Sequence, residues 1–221
     1  MASKGETKSK ILDAAEQLFA EYGFNDTSLR TITGKAGVNL ASVNYHYGDK
    51  KTLVRAVLSR YLEEFMPRLK GELEQLLTQP SFTMEDVFAC MKRPLLELNE
   101  FRPHGATIFM QLIGRGYTDV QGHLRWFITT RYDEVLSDFT TAVCRANPDL
   151  DVETLFWRLH FTLGTCVFTM ASSVALKDIA ESDFGKNVNT ESLINYLVPY
   201  LAAGVAAPTE TTLSLVTGTN N

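Results

Sequence analysis

The chain has 221 residues, 45% hydrophobic and 21% charged, the proportions of an ordinary soluble globular protein with one compact domain or two small ones. No apolar segment follows the charged start and no run of about 18 apolar residues occurs, which excludes a signal peptide and a membrane span and points to the cytoplasm. The net charge of −5 speaks on its face against nucleic-acid binding, but it is unevenly spread: residues 1–60 carry +3 and the remainder −8.

A first helix is predicted over about Thr7 to Tyr22, with Ile11, Ala15, Leu18, Phe19 and Tyr22 on one face. Thr27 then caps a short helix whose apolar positions, Leu29, Ile32 and Ala36, recur at helical spacing. Gly37 supplies the residue that can take positive φ and end it. Val38 packs into the corner and Asn39 caps a second helix, in which Leu40 and Val43 face inward. Ala41, Ser42, Asn44, Tyr45 and His46 are left for the outside. Small and hydrogen-bonding groups at the start of the second helix, after a Gly-containing turn, are what a helix-turn-helix needs to approach base edges. Gly48 breaks that helix and Asp49 caps the next, with Lys50 in its first turn, where an ammonium and exposed amides can grip phosphate. The same pattern would also suit a plain helical hairpin in a core, but a core helix does not offer Ser, Asn, Tyr and His in succession.

Downstream only helices are expected. One begins near Asp49 and bends or stops at Pro67, and Arg68 to Leu77 continues its direction. Thr83 with Glu85 and Asp86 starts another that reaches about Glu100, kinked at Pro94. Residues 106–116 and 119–146 give two more, the second ended by Asn147-Pro148. Asp151 starts an apolar helix to about Leu176, residues 177–190 form a polar loop, and a last helix runs from about Thr190 to Ala207, disturbed at Pro199. Residues 209–221 read as a mobile tail. The expected domains are therefore a DNA-binding head over 1–48, a helical ligand-binding and dimerisation body over 49–207, and a tail over 208–221.

ILDAAEQLFAEYGF (11–24) and DTSLRTITGKAGVNLASVNYHYGDKKTLVRAV (26–57) resemble the N-terminal domain of TetR-family regulators. The likeness rests on Tyr22-Gly23-Phe24, the Ala36-Gly37-Val38 turn, and Tyr45-His46-Tyr47 followed by Lys50 and Leu53, and it covers about the first quarter of the chain. Asn44 departs from it, standing where many members carry an aromatic, and Tyr47 replaces the usual Phe. The phrase KAGVNLASVNYHYGDKK also resembles the fatty-acid-responsive PsrA-type subgroup. The resemblance implies an all-α homodimer that binds double-stranded operator DNA and is released by a small apolar ligand, a long-chain fatty acid or acyl-CoA.

On this reading the candidate DNA contacts are Thr27, Ser28, Arg30, Asn39, Ala41, Ser42, Asn44, Tyr45, His46 and Lys50. Candidate ligand contacts are Gln111, Arg115, Trp126 and His160. Arg115 is the foremost anchor for a carboxylate, although a structural ion pair or a surface position serves equally well. Leu155, Leu159, Leu163, Val167, Met170 and Val174 form one stripe, and Leu193, Leu197, Leu201 and Val205 another. Phe156, Phe161, Phe168, Ile194 and Tyr200 lie off these stripes. Helices apolar on more than one side need more than one cover, either within the chain or from a second copy in a four-helix dimer interface.

An enzyme is not expected, and no cofactor or metal is implied. The four histidines are far apart and GxSxG, GxGxxG and P-loop patterns are absent. Cys90, Cys144 and Cys166 read as buried free thiols, with no motif for a redox sensor. The reading is a ligand-responsive transcription repressor; the alternatives are a regulator of this fold with another hydrophobic ligand and a constitutive DNA-binding protein.

Overall fold

Side-chain caps start six of the helices described below. The computed structural model describes residues 4–119 and 123–208, and among these the only regular structure is twelve helices. They are α1 (Lys4–Tyr22), α2 (Leu29–Ala36), α3 (Leu40–Tyr47), α4 (Lys50–Leu77), α5 (Met84–Ala89), α6 (Lys92–Phe101), α7 (Gly105–Asp119), α8 (His123–Arg131), α9 (Asp133–Ala146), α10 (Val152–Ala171), α11 (Ser173–Phe184) and α12 (Thr190–Ala206). Thr83 and Asp86 form a reciprocal capping box at α5, with the Asp86 amide donating to Thr83 Oγ1 at 3.2 Å and the Thr83 amide to Asp86 Oδ2 at 2.8 Å. Asp151 and Asn189 accept from the amides of Thr154 and Ser192 to start α10 and α12. Among the described residues, no single helix is long and apolar enough to cross a membrane.

Several expectations are corrected. α4, expected to bend or stop at Pro67, does not stop there; it is one helix of 28 residues, and Arg68 to Leu77 continue it. The segment 83–100 is two helices, because Pro94 has no N–H for the Cys90 carbonyl and its ring crowds that carbonyl. Pro94 instead sits in the first turn of α6, where no such bond is required. The segment 119–146 is likewise broken, between Arg131 and Asp133. The apolar helix expected to reach Leu176 ends at Ala171, and α11 leaves it at a 70° bend. Residues 177–184, expected as loop, belong to α11 because Ala, Leu, Lys and Glu supply good helix formers up to Gly185, whose φ of 62° ends the helix. Pro199 lies inside a continuous α12. The tail expected over 209–221 lies outside the described residues.

Contacts divide the chain into two units, Met1–Met66 with Leu98–Asp133 and Pro67–Glu97 with Glu134–Asn221. The boundary expected at residue 48 falls inside the first. In the first unit α1 packs against α2, α3 and α7. Its core includes Ile11, Phe19, Ile32, Val43, Leu53 and Leu62. Tyr61, fully buried, stacks on Phe109 with ring centroids 6.0 Å apart, and Phe65 meets the same ring at 5.2 Å.

In the second unit α12 packs on α5 and α10, and Phe88 meets Phe139 edge-on at 5.8 Å. Arg158 donates to the carbonyls of Val205 (2.8 Å), Ala207 (2.6 Å) and Pro208 (3.2 Å), satisfying acceptors that the end of α12 leaves open. Cys90 is buried, Cys166 partly so, and burial pushes both thiols up to about 11. Cys144, expected buried, is exposed, because Val135, Ala142 and Val143 form the inner face of α9.

Candidate nucleic-acid interface

The turn between α2 and α3 follows from three residues. Gly37 takes φ 65°, and the Val38 amide donates to the Thr33 carbonyl at 3.0 Å, closing α2. Asn39 then accepts from the Ser42 amide at 2.9 Å, as expected, and opens α3. At the other end Gly48 takes φ 74°. Asp49 accepts from the Thr52 amide at 2.7 Å to start α4, and these bonds hold its carboxyl below the usual carboxylate range.

Two expectations here are overturned. Thr27 does not cap α2; Ser28 does, accepting from the Thr31 amide at 3.0 Å. Thr27 is 1% exposed and its hydroxyl donates to the carbonyls of Gly23 (2.7 Å) and Leu18 (3.2 Å). Its side chain joins α1 to α2 and offers nothing to a partner. Leu40, expected to face inward, is 42% exposed, since the inward face of α3 is made by Val43 and Tyr47, four residues apart.

The structure brings the remaining candidates to the outside of α2 and α3, with Lys50 at the start of α4. Ser28, Arg30, Asn39, Ala41 and Asn44 are exposed, and Ser42, His46 and Lys50 partly so. Tyr45 is 69% exposed and stands edge-to-face with His46, centroids 5.1 Å apart. Lys50 donates to the Asn25 carbonyl at 3.3 Å and so flanks the start of α2. The Lys4 ammonium lies 5.0 Å from the centre of the Tyr45 ring. Sequence reading passed over Lys4, although its spacing of four from Lys8 was visible.

Behind this face the packing includes polar and charged groups. Tyr47 is buried, which pushes its phenol up to about 12, and the hydroxyl donates to the Lys8 carbonyl at 2.9 Å. Beneath α1 lies a four-charge cluster. Arg60 donates to Asp13 and Glu16, each at 2.8 Å, and Arg102 reaches Asp13 at 2.6 Å and Glu16 at 3.3 Å. Glu16 is 3% exposed in its side chain, yet both its oxygens are met. Arg102 is aimed by a tight α6–α7 turn in which His104 takes φ 59° and Gly105 lies against the Leu98 carbonyl, leaving no room for a Cβ. Arg55 contacts His123 Nε2, and burial with the neighbouring guanidinium keeps that imidazole below its ordinary value.

The candidate ligand residues divide between the units. Gln111, Arg115 and Trp126 belong to the first and His160 to the second. Arg115 is exposed and donates to the Glu21 carbonyl at 3.3 Å, the surface alternative left open for it. Trp126 is 61% exposed. His160 Nδ1 lies 2.7 Å from the Phe156 carbonyl oxygen. No group of three or more His, Cys, Asp or Glu among the described residues can hold a metal ion.

In the second unit the two leucine stripes are buried at Leu155, Met170, Leu201 and Val205 and half-buried at Leu159, Leu163, Val167, Leu193 and Leu197, whereas Val174 is exposed. Off the stripes, Ile194 is buried, but Phe156, Phe161, Phe168 and Tyr200 are exposed, together with Trp157 and Tyr196. Trp157, Phe161, Gly164, Phe168 and Ala171 are all exposed at alternating spacings of four and three, the period of a coiled-coil seam.

Comparison with known proteins identifies the family. Residues 11–57 match the model of bacterial regulatory proteins, tetR family. Residues 89–204, just over half of the chain, match that of the tetracyclin repressor-like C-terminal domain. The HTH-type transcriptional dual regulator CecR of Shigella flexneri is 38% identical over 85 residues, 36% of this chain and 37% of that protein. The chain thus spans little more than a third of the curated relatives it matches first. An alanine-substituted HlyIIR variant superposes with a TM-score of 0.62 at 17% identity, over 91% of this chain and 98% of that one. The SmeT–triclosan complex gives 0.56 at 21% identity, over 89% and 90%. The chain belongs to the TetR family of bacterial regulatory proteins, which are DNA-binding transcription regulators rather than enzymes.

Proposed function

We propose that the chain is a homodimeric repressor that holds a palindromic operator through α3 and releases it when a small apolar ligand binds. The observation that carries the DNA half is the outward run on α3, where Ala41, Asn44 and Tyr45 are exposed and Ser42 half-exposed, opposite the buried pair Val43 and Tyr47. Two recognition helices on one face of the duplex enter successive major grooves about 34 Å apart. Ser42 and Asn44 read base edges, and Lys50 with Ser28, Arg30 and His46 holds phosphates. The exposed aromatics of α10 and α12 support the dimer, since an apolar face of this kind is a binding surface.

The ligand half rests on resemblance to the fatty-acid-responsive subgroup and favours a long-chain fatty acid or acyl-CoA. SmeT, of the same fold, is known in complex with triclosan, also a small molecule. Such a ligand acts only by binding the released state more tightly than the DNA-competent one. Native mass spectrometry of the purified protein, with extraction of bound small molecules, tests both parts. A dimer carrying an acyl compound that releases operator supports the proposal. A dimer with nothing bound, indifferent to acyl compounds, leaves a constitutive DNA-binding protein, and a stable monomer defeats the dimer.

A further inference from the structure

We propose that Lys4, with Lys8 one turn behind it, is a second phosphate-binding element that Tyr45 positions beside the bases read by α3. This rests on the DNA-binding role proposed above. The geometry has two independent ties. The Lys4 ammonium lies 5.0 Å from the Tyr45 ring centre, and the Tyr47 hydroxyl donates to the Lys8 carbonyl at 2.9 Å across 39 residues of sequence. The first turns of α1 are therefore fixed against α3.

Folding does not ask for a lysine there. A cation in the first turn of a helix opposes the helix dipole, and α1 would be better served by an acid. Lys10, by contrast, is held by Glu6 at 2.7 Å, an ordinary pair four residues apart on the helix surface. Tyr45 is exposed to the partner that the outward groups of α3 face, so the cation on its ring faces the same partner. A duplex whose bases meet Ser42 and Asn44 presents its flanking phosphates at the edge of α3, where an ammonium anchored by an aromatic ring is already placed. Phosphate contacts fix register without reading sequence. Lys4 and Lys8 thus position, and α3 specifies.

The test measures DNA affinity against salt for the full-length, untagged chain, using an operator selected from randomised DNA by the wild-type protein and a scrambled duplex. Lys4→Gln should lower the slope of log K against log salt by about 0.9 for each phosphate that the variant no longer neutralises. Between 50 and 200 mM salt the wild type should then weaken about three times more than the variant for each such phosphate. Operator and scrambled DNA should weaken together. Lys4→Gln with Lys8→Gln should deepen the effect, whereas Lys10→Gln, the same charge removed from the same helix, should not change the slope. Equal slopes for Lys4→Gln and wild type, or an equal drop for Lys10→Gln, overturns the proposal while Asn44→Ala still reports on α3. A wild-type chain that binds no duplex overturns the DNA reading as well.

Discussion

Glu16→Gln tests the charge cluster beneath α1. The change keeps size and shape but removes the charge on a carboxylate that is 3% exposed and meets Arg60 at 2.8 Å and Arg102 at 3.3 Å. Two guanidinium groups are then left to Asp13, and the amide N–H₂ of the new side chain faces one of them, donor against donor. Removing one partner of a buried ion pair costs about 3–5 kcal/mol. Here Asp13 still binds both arginines, and Arg102 is exposed enough for water to reach it, so we expect about 2–4 kcal/mol. That corresponds to a fall of roughly 4–16 °C in Tm for a chain of this size. Urea unfolding followed by far-ultraviolet circular dichroism measures it. A second variant guards against a trivial result: Glu16→Met with Arg60→Met removes a whole pair and should cost less than the two single changes summed. A destabilisation below about 0.5 kcal/mol for Glu16→Gln would refute the reasoning, because it is the size of an ordinary surface substitution.

Three further outcomes are expected. Gly105→Ala places a Cβ against the Leu98 carbonyl and should cost about 1–3 kcal/mol in the same urea experiment, whereas Gly34→Ala, with open space around it, should not. Burial alone would raise the Asp13 carboxyl, but hydrogen bonds from Arg60 and Arg102 outweigh it and hold it below its ordinary value. A lowered carboxylate contributes stability above its unfolded value of about 3.9, and that contribution is lost as the pH falls through the folded value; Asp13→Asn should flatten the acid limb of a stability–pH curve below about pH 4. At neutral pH a maleimide should label exposed Cys144 well before Cys90 and Cys166, whose thiols sit near 11; mass mapping that finds Cys90 modified first contradicts the burial described.

The helix-turn-helix was legible because its punctuation is local: Gly37, Asn39 and Gly48 act within three or four residues of themselves, and each does what its chemistry suggests. Thr27 and Leu40 misled for the opposite reason. Thr27 finds its acceptors at Leu18 and Gly23, in the preceding helix and the turn after it, and which face of α3 turns inward depends on α1. Helix breaks at Tyr132 and Ser172 leave apolar periodicity intact on both sides and so escape it. The leucine stripes were visible, but periodicity alone does not say that the stripe points inward and the aromatics outward. The ion cluster spans Asp13 to Arg102, a separation at which no sequence pattern operates. The ligand anchors were chosen by residue type alone, and residue type does not fix where a side chain lies.

Arg158 also sets a limit on how far the chain can be shortened. Its guanidinium spends its hydrogen bonds on the carbonyls of Val205, Ala207 and Pro208, the last stretch of described backbone. A stop placed after Pro208 keeps all three acceptors and adds a terminal carboxylate beside a cation. A stop after Gly204 removes all three and leaves a partly buried guanidinium without them, a cost that falls on α10 although no residue of α10 has been touched.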